Sequence, residues 1–161
     1  MAGADVVVFD GLRNEQDFIR AVQFAEKGLF VICSLSAPTM ANTLRRAISA
    51  VGEAFEDMGA ARLSEVLSLC VGQYALAGLS GDQAFVHEVL LTTPQVRHMI
   101  EHKDIRGIET LLKTAPENSG QISLNQSLLQ NLIRRKIDIK TAFEVSQDPD
   151  GLDALLKKVG I

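Results

Sequence analysis

Two short runs of β-branched and aromatic residues, Val6-Val7-Val8-Phe9 and Leu29 to Ser34, stand on either side of a stretch with helical periodicity. Strand, helix and strand joined by so short a connection form a βαβ unit, with parallel strands and a right-handed crossover. The helix is marked at both ends. Asn14 reads as an N-cap with Asp17 at the capping-box position, Phe18, Val22 and Ala25 recur at helical spacing, and Gly28 stands at C′, predicting a helix from about Glu15 to Lys27. Both strand runs are continuous rather than alternating, the form of parallel strands buried on both faces. Ligands of such units bind at the carboxyl ends of the strands. Those positions are Asp10, Gly11, Leu12 and Arg13 after the first strand, and Leu35, Ser36 and Ala37 after the second.

Pro38 can occupy the first turn of the next helix, which runs through Leu44, Ala47, Ile48 and Val51 to about Phe55 and leaves by Glu56-Asp57-Met58-Gly59. Leu63, Val66, Leu67 and Cys70 fall on one helical face and predict a helix over Arg62 to Cys70. Gln73 to Leu79 and Gln83 to Leu91 read as strands joined by the turn Ser80-Gly81-Asp82, a β-hairpin. From Thr92 onward only helices are expected: Pro94 to His102, Ile105 to Thr114, Ser123 to Arg135, Ile139 to Ser146 and Leu152 to Lys158. Pro116-Glu117-Asn118-Ser119-Gly120 reads as the one flexible linker, and no repeat or low-complexity tract occurs. The expected division is an α/β part, residues 1–91, and an all-helical C-terminal subdomain, residues 92–161.

Of the 161 residues 47% are hydrophobic, enough for a core, so disorder is excluded as the main state. A formal charge of −4 without a basic face argues against a nucleic-acid partner. Cys33 and Cys70 lie inside apolar runs, where a thiol behaves as a small hydrophobe, consistent with a reduced, cytoplasmic setting. No apolar stretch is long enough to cross a bilayer and the first residues lack a basic n-region, so neither membrane insertion nor a signal peptide is expected. A chain that opens almost at once on a core strand is expected to be cut from a longer protein, or to have lost its front half.

Four apolar residues followed by an acid, Val6 to Asp10, have the shape of a Walker B strand, whose carboxylate can hold Mg²⁺; any buried strand ending in Asp at a turn has the same shape. The phosphate-cradling motif G-x-x-x-x-G-K-[ST] does not occur in the sequence. His98-Met99-Ile100-Glu101-His102 matches the inverted zincin pattern H-x-x-E-H, with two imidazoles one helical turn apart. A zinc hydrolase would need a third ligand from elsewhere and a buried cleft, and histidines near a helix C-terminus are equally explained by the macrodipole. Arg134-Arg135-Lys136 and Lys157-Lys158 read as cations at helix ends. No G-x-S-x-G elbow is present and neither cysteine has a histidine beside it in sequence.

Taken together, the residues resemble the C-terminal half of the secretion and type IV pilus motor ATPases, in particular the PilT-type pilus-retraction branch, from Asp5 to about Val159. Asp5 to Asn14 lies on the family's Asp-Val-Ile-Xaa-Val-Gly-Glu-Met-Arg-Asp, Ala25 to Val31 on Ala-Glu-Thr-Gly-His-Leu-Val, and Leu35 to Thr39 on its histidine box. His87 to Leu90, Thr93 to Arg97, Leu124 to Leu128 and Ala142 to Pro149 continue the match. The resemblance implies a partial RecA-like sheet of the P-loop NTPase type, followed by the helical subdomain. It also marks departures: Gly11 stands at the Walker B glutamate, Ser36 at the histidine of the box, and Gly72-Gln73-Tyr74-Ala75 on Ser-Gln-Arg-Leu. Met99 to Asp104 falls on Ala-Ile-Arg-Glu-Gly-Lys, which turns the zincin match into a diverged helix end and leaves no metal site expected. Arg13 keeps its place, and Asp10, one position early, would touch Mg²⁺ only with phosphates held by another segment.

The resemblance therefore implies a degenerate, non-hydrolysing motor-ATPase-like domain that acts through protein contacts, as a homo-oligomer or beside pilus or secretion motor components. Glycine cannot polarise water, and serine cannot replace an imidazole. Asp10 and Arg13 are the expected vestiges of a nucleotide and Mg²⁺ position. No cofactor is expected for the chain alone, and ATP with Mg²⁺ if a P-loop lies upstream. That second case is the alternative, a C-terminal fragment of an ATP-hydrolysing PilT-type enzyme. A zinc hydrolase using His98 and His102 is the third.

Overall fold

The computed structural model describes residues 3–116 and 118–161, without the side chain of Asp57. The chain divides into two compact units, Met1–Ser68 with Thr92–Glu109, and Leu69–Leu91 with Thr110–Ile161. By element type it changes from mixed α/β to helices at about residue 91. By packing, the hairpin goes with the chain from Thr110 onward, while Thr92–Glu109, which directly follows it, goes with the first unit.

In the first unit β1 (Val6–Phe9) and β2 (Phe30–Cys33) pair in parallel, from Val6 opposite Phe30 to Phe9 opposite Cys33. Helix α1 (Glu15–Glu26) makes the crossover. Asn14 Oδ1 accepts the Asp17 N–H at 3.0 Å, while the Asp17 carboxylate accepts from Arg13 rather than Asn14, so the expected reciprocal box closes one residue early. Gly28 ends the helix with φ +85°, a conformation that costs other residues free energy. Phe24 of α1 lies against Phe9, ring centroids 6.1 Å apart.

The opposite face of this small sheet corrects an expectation. The register places Val6, Val8, Phe30 and Ile32 together, and they are 51%, 65%, 63% and 49% exposed. A continuous apolar run states that both faces suit a core; it does not state that anything lies against the second one. The cysteines follow suit: Cys33 is exposed, and Cys70 is half-buried, its thiol pushed by burial to about 11.

Helix α2 (Met40–Phe55) is capped by Thr39, whose Oγ1 accepts the Asn42 N–H, so Pro38 precedes the cap instead of entering the first turn. A single 3₁₀ turn, Glu56–Met58, leads to α3 (Gly59–Val66). The helix expected over Arg62 to Cys70 thus starts earlier and stops at Val66; Leu67 is already extended and Leu69 begins a strand. Arg62 holds both oxygens of Glu26 at 2.6 and 2.5 Å and lies 3.6 Å from the centre of the Phe55 ring, linking α3 to α1 and to the end of α2. This hydrogen-bonded pair lowers the Glu26 pKa.

Helix α4 (Pro94–Glu101), capped by Thr93, buries Val96 and Ile100, and its Arg97 donates to the Ser64 carbonyl of α3. Helix α5 (Ile105–Thr114) is started by Asp104, which accepts the Gly107 N–H at 2.8 Å. Leu44, Ile48, Val51, Leu63, Val96, Ile100 and Ile108 are among the buried residues of this unit.

In the second unit β3 (Leu69–Ala77) and β4 (Gln83–Leu91) form the antiparallel hairpin, β3 starting four residues before the expected Gln73. Gly81 turns the chain at φ +83° and the Gly78 N–H closes onto the Asp82 carbonyl. Ala84 and Val86 of β4 share one core with Leu124 and Leu128 of α6 (Leu124–Ile133), Ala142 of α7 (Ile139–Val145), and Leu152 and Leu156 of α8 (Pro149–Val159). Helix α8 starts three residues before the expected Leu152 because Asp148 caps it and Pro149 fits its first turn. Within the expected linker, Glu117 lies outside the described residues, while Ser119 Oγ donates to the Pro116 carbonyl at 2.6 Å.

Buried polar side chains fasten α6 and the preceding segment to β4. Ser127 Oγ accepts the His87 N–H at 2.9 Å, and Asn131 Nδ2 donates to the Phe85 carbonyl at 3.3 Å. Gln121, 4% exposed, accepts the Leu91 N–H at 2.8 Å and donates back to the Leu91 carbonyl at 2.9 Å. Its amide stands in for a strand neighbour. Among the described residues, no helix is long and apolar enough to cross a membrane.

Replacing Gln121 with Leu removes both partners from the Leu91 backbone, and is expected to cost about 1–3 kcal/mol, read as a lower urea midpoint at unchanged slope. Glu26→Gln gives a pH signature. The depressed Glu26 pKa contributes stability that is complete above its unfolded value near 4.5 and is lost as pH falls through the folded value. Urea titrations are therefore expected to separate wild type from Glu26→Gln at pH 7 and to bring them together in acid.

Candidate functional site

The parallel register ends β1 and β2 side by side, so the loops that follow are neighbours. Gly11 makes the corner after β1 with φ +88°. Its N–H is shared between the Phe9 carbonyl, 3.1 Å, and Ser34 Oγ, 2.7 Å. The Ser34 hydroxyl donates in turn toward Asp10 Oδ1 at 3.4 Å. Leu12, buried, donates its N–H to the Ser34 carbonyl at 2.8 Å, and the Ser34 N–H donates to Phe9. Arg13 gives its N–H to Asp17 at 3.1 Å, leaving its side chain exposed.

Sequence reasoning named Asp10, Gly11, Arg13 and Ser36 and missed two partners. Ser34 is the bridge between Asp10 and Gly11; its signal was its place at the carboxyl end of β2. Arg46 of α2 donates to the Ser36 carbonyl at 2.6 Å, so the loop after β2 is held from the helix that follows. A ten-residue separation gave that contact no sequence pattern.

The backbone of this corner forms no phosphate cradle of its own. Phosphate cradles are built from backbone N–H groups turned toward the ligand. Here the N–H groups of Gly11, Leu12 and Arg13 are all directed to protein acceptors. Asp10 and Ser34 supply one carboxylate and one hydroxyl, whereas Mg²⁺ completes its octahedron with water and phosphate oxygens. A side chain at Gly11 would find Arg13 Nε at 3.7 Å, an ordinary contact, so the backbone conformation rather than lack of space is what disfavours an acid there.

His98, Glu101 and His102 meet on the exposed side of α4, with ligand atoms all within 4.8 Å of one another. The two rings lie 4.1 Å apart between centroids. The structure thus brings together the two histidines and the glutamate of the H-x-x-E-H match, on an open surface rather than in the cleft that a hydrolase needs.

No protein-family model matches the chain. It is 30% identical over 132 residues to a twitching motility protein of Neisseria gonorrhoeae, covering 81% of this chain and 35% of that protein. It is 22% identical over 146 residues to the type IV pilus retraction ATPase PilT of Pseudomonas aeruginosa, covering 91% and 42%. Among solved structures, the pilus retraction motor PilT with bound ADP superposes with a TM-score of 0.80 at 22% identity over 93% of this chain and 42% of that one. The Legionella pneumophila ATPase DotB gives 0.74 at 14% identity, covering 88% and 38%. The chain thus spans about two fifths of the length of the proteins it matches. In sequence and in fold it is a counterpart of the C-terminal half of a PilT-type pilus and secretion motor ATPase.

Proposed function

We propose that this chain is a degenerate motor-ATPase-like domain of a type IV pilus or secretion system, acting through protein contacts without hydrolysing ATP itself. The observation that carries the reading is the bare apolar face of β1 and β2, where Val6, Val8, Phe30 and Ile32 are each about half or more exposed. Covering what remains of four such side chains corresponds to roughly 3–6 kcal/mol of transfer free energy, enough to favour a docked protein surface. A second copy, a motor component or a further segment of a longer chain would each supply such a surface. The corner beside it supports the non-hydrolytic part: Gly11 offers no carboxylate, its N–H is engaged by Ser34, and Asp10 is drawn to the same hydroxyl. Asp10 and Arg13 are then vestiges of a nucleotide position.

A second reading, a fragment of a hydrolysing PilT-type ATPase, is favoured by the share of its relatives that the chain spans and by the ADP held in the PilT structure. In that reading, another segment brings the phosphates to Asp10 and Arg13.

Titration of the 161-residue chain with a fluorescent ATP analogue separates the two. The expected result is no saturable binding with or without Mg²⁺; tight Mg²⁺-dependent binding overturns the proposal. Sedimentation velocity tests the contact face. Wild type is expected to associate with rising concentration and Val8→Lys/Ile32→Lys to remain monomeric with an unchanged circular dichroism spectrum. Equal association of the two proteins would remove the face from the reading.

A further inference from the structure

We propose that the last turn of α4 is a surface site for a borderline divalent metal ion, Zn²⁺ foremost, ligated by His98, Glu101 and His102. At 100° per residue, Val96 and Ile100 define the buried side of α4, and His98, Glu101 and His102 fall on the other. Their ligand atoms already lie within 4.8 Å of one another. Tetrahedral ligands about 2.0–2.1 Å from zinc stand ~3.4 Å apart, so small rotations of exposed side chains complete the approach.

The hydrogen bonding points the same way. His102 Nδ1 lies 2.9 Å from the His98 carbonyl oxygen, an acceptor, so neutral His102 carries its proton on Nδ1 and keeps Nε2 free to ligate. A backbone carbonyl taking the second ring N–H is the usual means of orienting a metal-bound histidine. The helix C-terminus adds a favourable field for a cation, and the Glu101 carboxylate supplies the hard, charged third ligand.

This is not the hydrolytic site weighed from the sequence. Glu101 serves as a ligand here, and the remaining coordination is water on an open surface. The site also does not depend on the nucleotide corner or on the contact face of β1 and β2.

The test is calorimetric titration of ZnCl₂ into the full chain carrying Cys33→Ser, which removes the exposed thiol as a competing ligand. One Zn²⁺ per chain is expected, with His98→Ala and His102→Ala each weakening binding at least tenfold and Glu101→Gln weakening it severalfold. Because all three side chains are exposed, these variants should keep the wild-type circular dichroism spectrum. In proton NMR, the imidazole signals of His98 and His102 should move on adding Zn²⁺ while those of His87 stay. Non-saturable heats, or binding that both histidine variants leave unchanged, would overturn the proposal.

Discussion

The parallel pairing of β1 with β2 is the constraint on which the first unit rests. Two parallel strands cannot be joined by a tight turn, so α1 has to return across one face, and Phe24 meets Phe9 there. The same register brings both strand ends to one level, which is why Ser34 can reach Gly11 and Asp10 across the sheet. It also gathers Val6, Val8, Phe30 and Ile32 on the side that α1 does not cover. Corner and apolar face are therefore two results of one pairing.

The second unit is held by a different logic. Its hairpin satisfies most backbone groups internally, and the groups at its margins are met by side-chain amides and a hydroxyl: Gln121 on Leu91, Asn131 on Phe85 and Ser127 on His87. Such contacts are worth more as avoided desolvation than as attraction, because a buried N–H or C=O without a partner costs about 1–3 kcal/mol. They explain why α6, apolar where it meets the shared core, also carries buried asparagine and serine.

Features written in local residues were legible in the sequence. Asn14, Gly28 and Ser80-Gly81-Asp82 placed the crossover helix and the hairpin turn because caps and turns are short-range chemistry. The segment around Cys70 was not, since Leu63, Val66, Leu67 and Cys70 satisfy a helical period while Leu69 and Val71 on one face and Cys70 on the other make the following strand apolar on both sides. At the candidate site, Asp10 and Arg13 were visible from their position after a strand. Their connections were not: the Ser34 bridge spans 24 residues to Asp10, and the Arg46 contact crosses from a helix to a loop. Exposure of the sheet face was invisible for another reason, because cover is a property of whatever packs against a strand.

The helix caps carry a consequence of their own. Asn14, Thr39, Thr93, Asp104, Ser123, Asp138 and Asp148 each accept an N–H from three residues ahead, so where a helix begins is decided within a single turn. Helices anchored this way keep their starts whatever chemistry the loops between them carry. A substitution in a loop, at Gly11 or Ser36 for example, can therefore alter the chemistry of a strand end without moving the start of the helix that follows it.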